Sequence, residues 1–265
     1  MYNLFTLSAK YIHYLITASN GKGHGIHSPF VFDFVTSVLN NRSRSEAFLK
    51  IENLRKSLLK NKERIVVEDF GAGSALNPSR ERSISDIARH AAKPAKYGRL
   101  LYRLAEHYHC HEILELGTSL GLSTSYMASP PSVKKVTTLE GAELVAERAK
   151  QNLDSLSISK VEIITGNFDT TLEQALKKNP KPDLVFFDGN HRKEPTLRYF
   201  RQCLSTADEN SMFVFDDIHW SAEMEEAWRE ICRDDAVTCS IDLFFVGIVF
   251  FRKDFRGKQA FTIRY

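Results

Sequence analysis

Acidic residues end two apolar runs in the second half of the chain, and a histidine follows the first of them. Asp188 ends the run Leu-Val-Phe-Phe, while Asp216 and Asp217 end the run Met-Phe-Val-Phe. Carboxylate oxygens that leave coordination positions open suit Mg²⁺. The imidazole of His191, three residues after Asp188, is a base suited to proton transfer near neutral pH. These residue types predict a divalent-metal site at Asp188, Asp216 and Asp217.

A second interpretation of the acidic residues stays open at this stage. Asp216 or Asp217 could cap the helix that follows, with Asp188 contacting a bound ligand instead of a metal.

A glycine-punctuated loop follows an earlier apolar run. The segment Glu115-Leu-Gly117-Thr-Ser119-Leu-Gly121 turns from a predicted strand into a predicted helix. Glycines allow a ligand to approach the backbone closely, and a helix amino terminus offers unpaired N–H groups. The next predicted strand ends at Glu140, where an acid can accept hydrogen bonds from ribose hydroxyls. The combination predicts a ligand that contains a nucleoside.

Nicotinamide dinucleotides are the natural rival ligands. Their fingerprint needs three glycines, as G-x-G-x-x-G, so that a pyrophosphate can rest on the helix terminus. Here Ser119 stands at the middle position, which favours a ligand without a pyrophosphate. A second loop at 68–74, with Gly71 and Gly73, lacks a following helix and is predicted to be a surface turn or a lid loop.

The elements that must position these residues alternate from residue 111 onward, which is typical of a parallel sheet with crossover helices. We predict an α/β fold with a Rossmann-like, seven-stranded, mostly parallel sheet that closes with a C-terminal antiparallel hairpin; a short edge strand at 261–265 is left open. Residues 1–95 are predicted to form a helical N-terminal subdomain or lid, and residues 96–265 the main domain. The predicted strands are 112–116, 135–139, 161–165, 183–188, 212–216, 236–243 and 246–252.

These motifs resemble those of the class I S-adenosylmethionine-dependent methyltransferases, and within them the metal-dependent O-methyltransferases of the catechol and macrolide-sugar type. The resemblance covers roughly residues 97–252. It implies methyl transfer to a hydroxyl oxygen of a small molecule, with S-adenosylmethionine as methyl donor and Mg²⁺ as an assisting ion.

The resemblance also assigns roles to individual residues. The methionine part of the cofactor would lie among the loop residues, Glu140 would bind the ribose, and Asp188 would contact both cofactor and metal. His191, as the general base, and Asp188 would be the catalytic residues. The loop residues are Glu115, Gly117, Ser119 and Gly121; Asn167, where many relatives carry an acid, and Phe168 would flank the adenine; and Asp188, Asp216 and Asp217 would hold the ion. His219 and Trp220 are predicted to line the acceptor site.

Charge and composition limit the classes of partner that the sequence predicts. Residues 1–110 carry 17 Lys and Arg against 9 Asp and Glu, so an RNA acceptor is kept as an alternative, although a solvated helical surface is favoured. A nicotinamide-dependent oxidoreductase and a non-catalytic cofactor-binding protein are the alternatives from other classes. The segment 1–19 predicts an amphipathic helix and not a membrane span, so a cytoplasmic location is expected. A homodimer is left open.

Overall fold

The computed structural model describes residues 1–67, 81–90 and 94–265. The second glycine loop, with Gly71 and Gly73, lies outside the described residues. Within them, every helix is too short or too polar to cross a bilayer.

The described helices and strands alternate along the second half of the chain, as the apolar pattern predicts. The helices are α1 (Leu4–Thr17), α2 (Pro29–Asp33, continued by a π-helical stretch Phe34–Leu39), α3 (Glu46–Leu58), α4 (Ile84–His90), α5 (Ala95–His107), α6 (Leu122–Ala128), α7 (Glu143–Ser155), α8 (Phe168–Lys178), α9 (Lys193–Leu204) and α10 (Ala222–Arg233). The strands are β1 (Arg64–Val66), β2 (Glu81–Ser83), β3 (Glu112–Leu116), β4 (Lys135–Glu140), β5 (Val161–Thr165), β6 (Leu184–Phe187), β7 (Met212–Asp216), β8 (Cys239–Asp242), β9 (Val246–Phe250) and β10 (Gln259–Thr262).

The chain forms two compact units. The first contains Met1–Asn41 and Asp183–Tyr265, and the second contains Arg42–Pro182. The boundary predicted between residues 95 and 96 falls within the second unit and stays a prediction.

The first unit contains five paired strands and the second unit contains three that pair in parallel, and most of the neighbouring pairs are parallel. In the first unit the order is β10-β8-β9-β7-β6. Strands β6 and β7 are parallel, while β9 is antiparallel to both β7 and β8, which confirms the predicted hairpin. Strand β10 pairs in parallel with β8 and is the eighth strand, one more than the seven predicted.

The core of the first unit consists of apolar strands covered by helices. All four residues of β6 and all five of β7 are buried, as expected for strands that helices cover on both faces. The rings of Phe187 and Phe215 stack across these two strands with centroids 4.4 Å apart. Trp228 of α10 packs against Gly247 of β9, where a Cβ would lie 2.6 Å from the indole ring.

In the second unit, β3, β4 and β5 run parallel in that order, and β1 and β2 form a separate antiparallel pair. The prediction of a mainly helical N-terminal region missed this small pair, whose strands are only three residues long. Parallel neighbours bring the carboxyl ends of β3, β4 and β5 to one edge of the sheet, where open α/β sheets bind ligands.

Candidate active site

The glycine loop turns sharply between β3 and α6. Gly117, Ser119 and Gly121 all have positive φ, at 113°, 47° and 77°. The backbone N–H groups of Gly117 and Thr118 both donate to the carbonyl oxygen of Leu139, each at 3.0 Å. The loop is therefore tied to the end of β4, and its glycines stand where a left-handed backbone is needed.

Glu140 at the tip of β4 holds the same loop. Its Oε2 accepts from the Ser119 N–H at 2.8 Å, and its Oε1 accepts from the Ala142 N–H at 3.0 Å. Burial raises the pKa of the Glu140 carboxyl, and the backbone N–H groups act in the opposite direction. The structure thus shows Glu140 as a support of the loop, and its predicted contact with ribose hydroxyls stays a prediction.

Glu115 lies in β3, two residues before Gly117, and it is completely buried. Its carboxyl oxygens accept from Ser123 Oγ at 2.6 Å, from Thr138 Oγ1 at 2.7 Å and from Thr124 Oγ1. Burial raises the pKa of Glu115 to about 7, although these hydroxyl bonds favour the charged form. The carboxyl thus joins β3 to β4 and to the first turn of α6, and its predicted place beside the methionine part of the cofactor remains untested.

The three hydroxyl residues around Glu115 are functional neighbours that sequence reasoning missed. A signal for them existed, because an acid inside an apolar strand needs hydrogen-bond donors when it is buried. Ser123 and Thr124 lie eight and nine residues after it, in the first turn of the helix that the glycine loop enters. Thr138 could be found only from the sheet register, which pairs it with Glu115.

The residues predicted to flank the adenine lie where β5 ends. The Gly166 N–H donates to the Glu140 carbonyl at 2.8 Å, so this turn adjoins the tip of β4. Asn167 caps α8, since its side-chain oxygen accepts from the Asp169 N–H at 2.9 Å. Phe168 is the half-buried first residue of that helix. Their contact with an adenine stays a prediction, and the Asn167 oxygen already has a local partner.

In the first unit, the structure brings Asp188, His191 and Asp216 together. Each offers one potential ligand atom, and these atoms lie within 4.8 Å of one another. His191 Nε2 is 3.7 Å from Asp188 Oδ1. Asp216 is only 1% exposed, whereas the side chains of Asp188 and His191 are 14% and 25% exposed. A buried carboxylate beside two partly accessible groups forms a site that a ligand can reach from one side.

Asp217, the third predicted metal ligand, is not part of this group among the residues that the structure describes. Successive residues at the end of a strand project to opposite sides, and Asp217 has a left-handed backbone with φ 55°. Its N–H donates to the Phe245 carbonyl at 2.7 Å, and its carbonyl accepts from the Trp220 N–H at 2.9 Å. The structure thus places Asp217 in a turn, and its role as a ligand stays a prediction.

His219, predicted to line the acceptor site, lies between two carboxylates. Its Nδ1 is 3.0 Å from Glu225 Oε1, and its Nε2 is 2.9 Å from Asp242 Oδ2. Desolvation lowers the pKa of His219, but the hydrogen bonds and charges of Asp242 and Glu225 outweigh it and raise the pKa overall. The ring also stacks on Phe244, with centroids 5.0 Å apart. Both ring nitrogens are engaged in holding the end of β8 and the start of α10, while Trp220 beside it is 36% exposed.

Known proteins resemble this chain over the part that contains most of these site residues. Residues 114–218 match a family model described as a methyltransferase domain. The chain is similar to a catechol O-methyltransferase of Niastella koreensis, with 33% identity over 124 residues that make up 46% of this chain and 55% of that protein. It is also similar to a catechol O-methyltransferase of Mycobacterium tuberculosis, with 30% identity over 156 residues, 58% of this chain and 67% of that protein.

A solved structure of similar fold is the O-methyltransferase from Bacillus cereus in complex with SAH. It has a TM-score of 0.55 and 18% identity, and the likeness covers 83% of this chain and 97% of that chain. The match to the first curated relative spans little more than half of that protein. These relatives favour neither a nicotinamide-dependent enzyme nor an RNA-modifying enzyme. From the family model, the identity to the mycobacterial protein and the fold, the chain belongs to the class I S-adenosylmethionine-dependent O-methyltransferases.

Proposed function

We propose that this protein transfers the methyl group of S-adenosylmethionine to a hydroxyl oxygen of a small molecule, with the assistance of a divalent ion. The observation that carries the proposal is the convergence of Asp188, His191 and Asp216 at the ends of β6 and β7, in a chain of this family. The curated relatives are named as catechol O-methyltransferases, so an acceptor with two adjacent hydroxyl groups is the first to test.

The second unit would hold the methyl donor. The loop around Gly117 and Gly121 leaves backbone close to the carboxyl edge of its strands, where a nucleoside can lie. Glu140 and the turn at Asn167 end the two neighbouring strands. Hydroxyl groups of a bound S-adenosylmethionine would either replace the Ser119 N–H at the Glu140 carboxylate or bind beside it. A carboxylate has lone pairs for several hydrogen-bond donors.

The donor set in the first unit fits a divalent ion. Two carboxylates and one imidazole nitrogen with ligand atoms this close can face a common centre, and oxygen donors suit Mg²⁺. In our proposal, Asp188 and Asp216 would hold the ion. When bound, a divalent cation supplies positive charge that orients the acceptor oxygen and favours its deprotonated form.

His191 would move the proton. We propose that its Nε2, which lies 3.7 Å from Asp188 Oδ1, accepts the hydroxyl proton of the acceptor. The deprotonated oxygen attacks the methyl carbon, the bond from that carbon to sulfur breaks, and S-adenosylhomocysteine leaves with the electron pair. The proton then passes from His191 to solvent, to which the imidazole is partly exposed.

The test measures formation of S-adenosylhomocysteine from S-adenosylmethionine and catechol, with Mg²⁺ and with EDTA. Asp216→Asn should lower kcat at least about 100-fold, and His191→Gln about 10²–10⁴-fold, the range of a lost general base. Binding of S-adenosylhomocysteine, measured by calorimetry, should stay within a few fold in both variants. Asp254→Asn, at an exposed acid of the same unit, is the matched control and should keep full activity.

Two results would contradict different parts of the proposal. If S-adenosylhomocysteine does not bind the wild type, methyl transfer fails as the function. If the donor binds and acceptors are methylated equally fast with EDTA, the metal part fails and the rest stands. Methylation of another hydroxyl compound in place of catechol would redefine only the acceptor.

A further inference from the structure

The segment 188–192 links β6 to α9 and carries two of the three residues that converge with Asp216. Asp188 directly follows β6, and His191 lies two residues before the first residue of α9. A side chain on a linking segment keeps a defined position only where packing and hydrogen bonds hold it. Gly189 and Asn190, which stand between the two site residues, therefore bear on where the imidazole lies.

Asn190 has a left-handed backbone, with φ 53°. Only a few per cent of non-glycine residues adopt this conformation, and asparagine is among the types that tolerate it best. Asp217, in the corresponding segment after β7, has φ 55°. A left-handed non-glycine residue thus follows each of the two strands that end at the site. Such conformations cost free energy and persist where the surrounding structure imposes them.

A backbone hydrogen bond joins the residues on either side of His191. The Arg192 N–H donates to the Asn190 carbonyl oxygen at 2.5 Å. A bond between residues two positions apart closes a three-residue turn, and His191 is the central residue of this one. The conformation of Asn190 sets the direction of the carbonyl that accepts this bond. The backbone of His191 therefore depends on the conformation of Asn190.

The side-chain amide of Asn190 strengthens the same turn. Its Oδ1 accepts from Arg192 Nε at 3.2 Å. A guanidinium group only donates hydrogen bonds, so the amide oxygen must face Arg192. The amide nitrogen then faces the hydroxyl group of Tyr199, a buried residue of α9, at 3.5 Å. The amide therefore connects the turn to the residue before α9 and, through this longer contact, to α9 itself.

Both ends of the segment 188–192 are fixed. At one end, all residues of β6 are buried. At the other end, Lys193 Nζ, on the first residue of α9, lies 3.1 Å from Glu226 Oε2 and 2.6 Å from Glu230 Oε1, both on α10. A change in the conformation of Asn190 must therefore be absorbed by the few residues between these ends, and His191 is one of them.

We propose that Asn190 is a positioning residue, which places the His191 imidazole beside Asp188 through its left-handed backbone and its amide. The inference rests on the proposed function only in taking His191 as the base. Two substitutions separate the two contributions. Asn190→Ala removes the amide and leaves a residue that disfavours the left-handed conformation, whereas Asn190→Gly removes the amide but adopts positive φ freely.

Crystal structures of the wild type and the variants test the positioning without reference to activity. The distance from His191 Nε2 to Asp188 Oδ1 is 3.7 Å in the wild type. Asn190→Ala should lengthen it by more than about 1 Å, and Asn190→Gly by less, because glycine can keep the turn. Asn210→Ala, at an exposed asparagine between α9 and β7, is the matched control and should leave the distance unchanged. Circular dichroism establishes that each variant is folded.

Kinetics of S-adenosylhomocysteine formation supply a second test. Asn190→Ala should lower kcat on the order of 10²-fold, the effect of a displacement of about 1 Å, while KM for S-adenosylmethionine changes less than about threefold. Asn190→Gly should recover at least about tenfold of that loss. In a chain that already carries His191→Gln, Asn190→Ala should lower kcat by less than about twofold more, because the group that Asn190 positions is gone.

Two results would overturn the proposal. The first is an Asn190→Ala structure in which the His191 ring keeps its place beside Asp188. The second is a loss of kcat from Asn190→Ala that is equally large with and without His191→Gln, which would mean that Asn190 acts elsewhere. A failure of the proposed function gives a different pattern. If His191→Gln keeps full activity while Asn190→Ala still displaces the ring, His191 is not the base, and its positioning by Asn190 stands.

Discussion

Replacing Glu115 by glutamine should change how the stability of this protein depends on pH. Glu115 is fully buried, and burial raises its pKa from 4.5 to about 7. The folded protein therefore binds a proton on Glu115 more tightly than the unfolded chain does. Its contribution to the free energy of unfolding is complete below pH 4.5 and is lost as the pH rises through 7.

The size of this effect follows from the two pKa values. A pKa raised from 4.5 to about 7 corresponds to about 3 kcal/mol of unfolding free energy. Glutamine keeps the shape, and it does not titrate; its oxygen can accept from Thr124 and Thr138 while its NH₂ donates to the Ser123 hydroxyl. The stability of Glu115→Gln relative to wild type should therefore rise by up to about 3 kcal/mol between pH 5 and pH 8.

Urea unfolding at pH 5, 6, 7 and 8, followed by tryptophan fluorescence, measures this difference directly. Glu173→Gln is the control, because Glu173 lies exposed on α8 and its pKa is lowered by Lys177. Its stability relative to wild type should change little over the same range, in the opposite direction. A Glu115→Gln difference that is flat within about 1 kcal/mol would refute the argument that the Glu115 carboxyl is desolvated among hydroxyl groups.

Two further predictions concern packing in the first unit. His219→Leu should lower the free energy of unfolding by about 1–3 kcal/mol, because two carboxylates lose their shared partner; a loss below about 0.5 kcal/mol in urea unfolding would contradict this. Gly247→Ala should cost about 1–3 kcal/mol, since its Cβ would lie 2.6 Å from the buried indole of Trp228. Gly257→Ala, which meets open space, is the control, and equal melting temperatures for the two alanine variants would argue against the close packing described.

The order of strands and helices could be predicted because local patterns carry it. The apolar runs in β6 and β7 allow burial on both faces, and the gaps between strands have helical length. The antiparallel hairpin was predictable for the same reason, because too few residues separate β8 from β9 for a crossover helix. The pair β1 and β2 was not, since three-residue strands carry almost no pattern.

The sequence likewise predicted the positions of the site residues but not the directions of their side chains. The sequence by itself determined that Glu140, Asp188 and Asp216 stand at strand ends, because each ends or directly follows a predicted strand. Only the tertiary structure decided that Asp216 meets His191 while Asp217 enters a turn, since neighbouring residues at a strand end point to opposite sides.

Contacts between segments that lie far apart in the chain could not be predicted from the sequence. Register and packing determine three such contacts: the partner of Glu115 on the next strand, the two carboxylates around His219, and the face of α1 that the protein buries. Helix α1 is apolar on both sides, so its periodicity could not say which side the protein itself would bury. The sequence supplied the elements and the reactive groups at their ends; side-chain direction, which arises when those elements pack together, was decided only by the fold.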